Sequence, residues 1–189
     1  MKKILIAAAA STALFSSAAF AQSATDSVDF VVGGTVNQEC SIADPTDASF
    51  GAFEIEEAPG SIALKINNGS QTASTQNIWV SCNYAAEISG ASANGGMTNS
   101  DAGAAALVAN DSADFTDVIE YRVRLTSTDG SFPLFEMQTD GPGSTGPVVA
   151  GGAFHNQATL KVYVDGDDNP KRPVAGTYSD TATLTVGPV

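Results

Sequence analysis

The chain has 189 residues and a formal net charge of −13, from 21 acidic and 8 basic side chains. So acidic a protein is repelled by nucleic acids and by anionic lipid surfaces, which argues against either as a partner. Helical periodicity is nearly absent after residue 21, and short apolar alternations recur between Gly, Asn, Asp and Pro clusters. The composition therefore favours one β-rich domain that is long enough to bury a full core.

The first 21 residues have the pattern of an export signal. Two lysines follow Met1, an apolar stretch runs from Ile4 to Phe15, and Ala19-Phe20-Ala21 is a small-x-small cleavage site. Cleavage there leaves a mature chain that begins at Gln22. No later stretch has the roughly 20 apolar residues that a membrane helix needs. We therefore expect passage through the periplasm to the cell surface or the medium, with no integral membrane segment.

A short alternating segment precedes the first cysteine. Val28, Phe30 and Val32 share one face of a predicted strand, and Asp29 and Val31 lie on the other. This strand could be the first strand of a complete sandwich, or it could pair with a neighbouring molecule. The alternation alone favours pairing within the domain.

Cys40 and Cys82 are the only cysteines in the chain. Export places them where disulfides persist, so we expect them to form one bridge. Closing a loop of this size stabilises a fold by about 4 kcal/mol on chain-entropy grounds. Two cysteines and a single histidine do not make the usual four-ligand zinc site, and the sequence predicts no metal and no cofactor.

The remaining elements are predicted from period-two alternation and from the turn residues that bound it. Residues 90–106 read as a surface connection, in which Ala104 to Val108 could be a helical turn or a short strand, and residues 141–152 read as a Pro/Gly loop. The predicted strands are Thr35 to Ile42, Ser49 to Ile55, Ile62 to Ile66, Gln76 to Tyr84, Val118 to Thr126, Phe132 to Met137, Ala158 to Asp165 and Gly176 to Val186. This is the pattern of an all-β sandwich.

Short motifs at both ends of the predicted domain carry a family resemblance. The C-terminal motif consists of Pro173, Ala175-Gly176-Thr177-Tyr178, Asp180 and the alternating run Thr181 to Val186. The N-terminal motifs are Gly34-Thr35-Val36, Cys40-Ser41-Ile42, Phe50-Gly51 and Val80-Ser81-Cys82. Together they resemble the spore coat protein U domain family. The chain departs from that family in its turn at residues 166–169 and in a longer Gly/Ala-rich insertion near residue 100.

The resemblance implies a subunit of a secreted pilus, or of a coat, that is built by the archaic chaperone-usher route. Its domains would be a signal peptide (1–21), an N-terminal donor strand segment (22–34) and one pilin-like domain (35–189). Such domains look like immunoglobulin-type sandwiches that lack a strand, and the N-terminal strand of the next subunit completes them. Val28, Phe30, Val32 and Gly34 would anchor that strand. The partners would be a periplasmic chaperone, an outer-membrane usher and other copies of the chain.

Other functions find less support in the sequence. The single histidine, His155, has no Gly-x-Ser-x-Gly elbow to accompany it, and Glu54, Glu56 and Glu57 read as a solvated strand end, so we expect no enzyme. The alternative function is an exported carbohydrate-binding adhesin of the same fold. Its sugar-stacking surface would use the aromatic residues Trp79, Tyr84 and Phe115, although we expect these side chains to pack in the core.

Overall fold

The structure is a computed structural model that describes residues 27–101, 103–139 and 144–189, apart from the side chain of Ala105. The predicted signal peptide lies outside the described residues. The chain divides into two units, residues 1–36 and residues 37–189. In the first unit, residues 27–36 belong to no strand and their side chains are exposed to solvent.

The regular secondary structure of the second unit is almost entirely β. In chain order, the described residues form β1 (Cys40–Ile42), β2 (Ser70–Cys82), β3 (Ala86–Ser92), β4 (Met97–Asn99), α1 (Ala104–Asn110), β5 (Phe115–Thr116), β6 (Val118–Ile119), β7 (Arg122–Ser127), β8 (Phe135–Gln138), β9 (Val148–Ala150), β10 (Phe154–Asp165), a 3-10 helix (Gly166–Asp168), β11 (Arg172–Pro173), β12 (Tyr178–Ser179) and β13 (Ala182–Pro188). Within the described ranges, no helix is long and apolar enough to cross a membrane.

The strands form antiparallel sheets around one core. The largest sheet has the order β1-β2-β10-β7-β8, and its longest pairing joins β2 to β10. Two smaller sheets have the orders β13-β3-β9 and β12-β4-β6, and β11 pairs with β5 in parallel. The all-β prediction is confirmed, and the arrangement is that of a β-sandwich.

Alternation along the central strands builds the core. In β2, Ile78, Val80 and Cys82 are buried while Trp79 between them is exposed. In β7, Val123 and Leu125 are buried between half-buried arginines. Each fully buried side chain of this kind contributes about 1.5 to 3 kcal/mol to folding. The alternation of apolar and polar residues in the sequence therefore gives each of these strands one apolar face.

The predicted disulfide is confirmed. Cys40 of β1 and Cys82 of β2 are directly opposite each other in the antiparallel ladder, and their sulfur atoms are bonded. Their Cα atoms are 4.2 Å apart. The bridge ties the three-residue edge strand β1 to a long central strand.

Arginines on the outer face of the largest sheet hold a buried carboxylate. Glu136 of β8 is only 5% exposed, and it accepts a hydrogen bond from Nη1 of Arg122 at 2.9 Å and another from Arg124. Arg122 also donates two bonds of 2.6 Å to Asp168. Burial would raise the pKa of the Glu136 carboxyl, but the two arginines outweigh it and lower that pKa. These charge-assisted bonds join β7, β8 and the 3-10 helix.

Several segments differ from the sequence predictions. The predicted strand Thr35 to Ile42 is a strand only at Cys40–Ile42, and the predicted strand Ser49 to Ile55 is wrong, because only Ile55 makes an isolated bridge there. The predicted connection 90–106 contains the end of β3 and all of β4. The predicted strand Ile62 to Ile66 is wrong: only Ile66 makes a bridge, with Ile55, and Ile62 and Leu64 are about half exposed. Residues 104–110 form a helix, which decides between the two alternatives left open. The predicted loop 141–152 contains strand β9, because Val148–Ala150 pairs with β3.

Candidate functional site

An open groove runs along one side of the second unit. Its cavity volume is about 1600 Å³, which exceeds the roughly 300 to 1,000 Å³ of a typical small-molecule pocket. One wall is formed by residues 42–53 and the other by residues 173–184. The floor consists of inward side chains of the sandwich: Met97, Ile119, Tyr121, Val123, Leu160 and Val162.

Strand β13 borders this groove with an unpaired edge. It pairs with β3 on one side, and no strand of the described residues pairs with its other side. The carbonyl of Thr181 accepts a hydrogen bond from the Ala93 amide, so the backbone N–H and C=O of every second residue from Thr181 onward point toward β3. The residues between them, which include Leu184 and Val186, therefore point their backbone N–H and C=O toward the unpaired edge. Both side chains are half-buried and pack against the core.

Strand β2 also lacks a neighbouring strand over much of its length. Strand β1 pairs only with Val80–Cys82, and the amide of Ala43 adds one bond to the Trp79 carbonyl. From Ser70 to Gln76, the only strand beside β2 in the described residues is β10. Gln76 itself lines the groove. Unpaired edges of this kind are templates for an added strand.

The C-terminal sequence motif builds one wall of the groove. The Tyr178 hydroxyl donates a 2.6 Å hydrogen bond to the carbonyl of Val174, a contact of the kind found at tyrosine corners in β-sandwiches. Gly176 has φ +155, and a Cβ there would collide with the side chain of Asn99. The Thr177 amide donates to Asp101 at 3.1 Å. These motif residues position the chain before β13, and their role is structural.

Asp180, another residue of this motif, ties the chain just before β13 to the core. One carboxylate oxygen accepts hydrogen bonds from the Asn94 amide at 3.1 Å and from the Asn94 side chain at 3.0 Å. The other accepts from the Tyr121 hydroxyl at 2.8 Å and from Ser92. Burial would raise the pKa of the Asp180 carboxyl, but these donors outweigh it and lower that pKa. Burial and the bond to Asp180 raise the pKa of Tyr121.

Substituting Asp180→Asn should destabilise the fold in a pH-dependent way. Hydrogen bonds to a charged group contribute about 1.5 to 3 kcal/mol, so a loss of about 2 kcal/mol is expected at pH 7. Because the folded-state pKa is lowered, the contribution of Asp180 is present above the ordinary pKa near 4 and is lost as the pH falls through the folded value. Urea unfolding at pH 7 and pH 3 should therefore show a larger difference in stability between the two chains at pH 7 than at pH 3. An equal difference at both values would contradict this role.

The four predicted anchors lie in the first unit, and all are exposed. Val28, Phe30 and Val32 have exposed fractions of 85%, 81% and 82%. Gly34 has no atom within 4 Å of the position of an added Cβ. Large apolar side chains at such exposure are unusual in a finished monomer, because burying each one would be favourable. Their role as anchors stays a prediction.

A second surface feature lies on the outer face of β2 and β10. The rings of Trp79 and His155 stack at 4.6 Å and 13°, and the Nδ1 atom of His155 is 2.6 Å from the Ser81 hydroxyl oxygen. Trp79 is 47% exposed, so the prediction that it packs in the core is wrong, whereas Tyr84 and Phe115 are half-buried. Among the hydrogen bonds of the described ranges, none joins a carboxylate to the His155 ring. The sequence did not predict the contact between Trp79 and His155, because the two residues are 76 positions apart. Only the register between β2 and β10 brings them together.

The described residues define an all-β sandwich with an open apolar groove beside a strand edge that no other described strand pairs with. No family model, no curated protein and no solved structure matches the chain. The case for a function is therefore built on the residues and the geometry described above.

Proposed function

We propose that this protein is an exported structural subunit of a surface fibre, a pilus or a coat, which polymerises by donor-strand exchange. In this scheme Val28, Phe30 and Val32 of one molecule enter the groove of the next, and the sandwich of the acceptor is of the incomplete, immunoglobulin-like pilin type. The observation that carries the proposal is the open apolar groove beside the unpaired edge of β13.

The chemistry of the groove suits an added strand. An incoming strand can hydrogen-bond to the outward-facing peptide groups of Leu184 and Val186, while alternate side chains pack on the apolar floor. At about 3.3 Å per residue, residues 28–32 span roughly 13 Å and place three side chains on one face. Each buried anchor would contribute about 1.5 to 3 kcal/mol. Main-chain pairing supplies affinity, and the anchors supply register.

The resemblance to spore coat protein U domains supports the partners of this assembly. An exposed apolar groove is an aggregation hazard, so a periplasmic chaperone would cover it until the next subunit arrives. An outer-membrane usher would then be the site at which the donor strand replaces the chaperone. The predicted signal peptide supplies the route into the periplasm.

Polymer formation by the purified mature protein tests the proposal. We expect unheated samples on denaturing gels to show a ladder of oligomers that collapses to the monomer on boiling. Removing residues 22–33 should abolish the ladder, because no donor strand remains. A ladder that persists after this deletion, with no peptide added, would overturn the proposal.

We propose glycan binding at the Trp79–His155 pair as a second candidate function, which corresponds to an exported carbohydrate-binding adhesin of this fold. The half-exposed indole of Trp79 favours this candidate, because a ring that combines an apolar face with a polar N–H group is suited to an interface that is partly apolar and partly hydrated. Polar side chains lie on the same face of β2 and β10: Ser81 contacts His155, and Thr159 donates a hydrogen bond to Asn77 two positions along each strand from Trp79 and its partner Gln157.

Intrinsic fluorescence reports on this second candidate directly, since Trp79 is the only tryptophan in the chain. Titration with a panel of soluble oligosaccharides should shift the emission, and His155→Ala should weaken binding about ten-fold. A Leu134→Ala chain serves as the control, because Leu134 is another exposed apolar residue. An unchanged emission spectrum across the panel would remove this candidate and leave the fibre proposal standing.

A further inference from the structure

Two glutamines of β2 hold the 42–53 wall of the groove by side-chain amides. The Gln76 side chain accepts a hydrogen bond from the Thr46 amide at 2.9 Å and donates one to the Thr46 carbonyl at 3.0 Å. Gln71 repeats the arrangement with Glu54, at 2.9 Å and 3.1 Å. Each glutamine side chain thus bonds both the backbone N–H and the backbone C=O of one residue, Thr46 or Glu54, as a neighbouring strand would. We call these two contacts the glutamine clips.

Between the clips, residues 47–53 form a strap with few polar ties. Among the described residues, no β-ladder and no backbone–backbone hydrogen bond joins these seven positions to the rest of the protein. The bond from the Gly51 amide to Ser49 lies within the strap itself. Gly51 has φ +64, a left-handed conformation that lets the chain reverse there. The strap is therefore fixed at its ends, and apolar contacts hold its middle.

Those apolar contacts are made inside the groove. Phe50 and Phe53 line the groove, are half-buried, and pack against the core. Their rings are 5.2 Å apart, and the Phe53 ring meets Tyr178 of the opposite wall edge-on at 6.5 Å. The two phenylalanines thus connect one wall to the other, in the space where apolar side chains of an added strand would lie.

We propose that the strap is a displaceable plug, in which Phe50 and Phe53 occupy the groove of the free subunit and must leave before a donor strand is seated. This inference rests on the proposed function, and it adds a gate to that site. The plug reduces the exposed apolar area of the free subunit. The glutamine clips set how often the strap opens, because opening breaks their hydrogen bonds to Thr46 and Glu54.

Binding of a donor peptide to the full mature chain tests the gate. The chain carries Phe30→Asp so that it cannot donate its own strand, and the probe is a fluorescent peptide of residues 22–36, followed by anisotropy. Substituting Gln76→Ala should raise the association rate about ten-fold, since opening of the strap then no longer breaks the two hydrogen bonds to the Thr46 main chain. Phe50→Ala with Phe53→Ala should also raise the rate. Gln157→Ala on β10 is the matched control and should leave the rate unchanged.

Amide hydrogen exchange separates a plug from a permanent wall. The Thr46 and Glu54 amides are bonded to the clips in the free subunit, so a displaced strap predicts faster exchange at both positions once the peptide is bound. Peptide binding with slower or unchanged exchange at these amides, or with slower association after removal of the two phenylalanines, would overturn the plug and leave donor-strand binding intact. A peptide that binds none of the variants would overturn both the plug and the proposed function.

Discussion

Replacing Phe30 with aspartate is expected to abolish assembly while the folded monomer keeps its stability. Phe30 is 81% exposed in the single chain, so the substitution removes no packing from the monomer. In the proposed polymer the same side chain is buried in the groove of the next subunit, where its loss would cost about 1.5 to 3 kcal/mol. An aspartate buried there without a partner would add a further penalty of several kcal/mol. The oligomer ladder should disappear, and the urea unfolding midpoint of the monomer should not move.

Val31→Asp is the matched control for this prediction. Val31 adjoins Phe30 in sequence and is 99% exposed, but it belongs to the opposite face of the predicted strand. The same charge placed on that face should leave most of the ladder in place. If Val31→Asp abolished assembly and Phe30→Asp did not, the register proposed for the donor strand would be off by one residue. If neither substitution had an effect, residues 28–32 would not be the donor.

Removing the disulfide is expected to have the largest effect on the stability of the monomer. The bridge joins cysteines 42 positions apart. Closing a loop of this length lowers the entropy of the unfolded chain, which stabilises the folded state by about 4 kcal/mol. Cys40→Ala with Cys82→Ala should therefore lower the free energy of unfolding by about 4 kcal/mol in urea titrations. In the folded state, the three residue pairs of the ladder would still join β1 to β2.

Reduction of the unsubstituted chain is the control for this experiment. A thiol reductant should lower its unfolding midpoint toward that of the double variant, and it should leave the double variant unchanged. Alkylation without reductant should not alter the mass of the folded chain, because both sulfurs are bonded to each other. A reduced and alkylated protein that unfolds at the original urea concentration would contradict the stabilising role of the bridge.

Some features followed from the sequence because they depend on neighbouring residues or on the whole composition. Period-two alternation in Gln76 to Tyr84 and in Val118 to Thr126 predicted strands with one buried face, and both regions contain such strands. The predicted pairing of Cys40 with Cys82 needed only a count of cysteines and an oxidising compartment. The alternation of Val28, Phe30 and Val32 is also visible in the sequence, although its use by a neighbouring molecule is a proposal.

Other features could not be predicted because they depend on contacts between distant residues. Ile62, Leu64 and Ile66 alternate as a strand does, yet only Ile66 found a partner, because alternation identifies a possible face and does not supply a neighbouring edge. The stacking of Trp79 on His155 likewise depends on the register between β2 and β10, which neither strand's own sequence contains.

By itself, the sequence determined the all-β class, the single disulfide and an apolar N-terminal segment that can form a strand. Only the tertiary structure decided which strand edges are unpaired among the described residues, which walls enclose the groove, and that Gln71 and Gln76 hold the ends of the strap. The physical reason is that strand alternation is local, whereas the pairing of a strand edge is defined by which other strands lie beside it. Which strands become neighbours depends in turn on how strands from distant parts of the chain pair with one another.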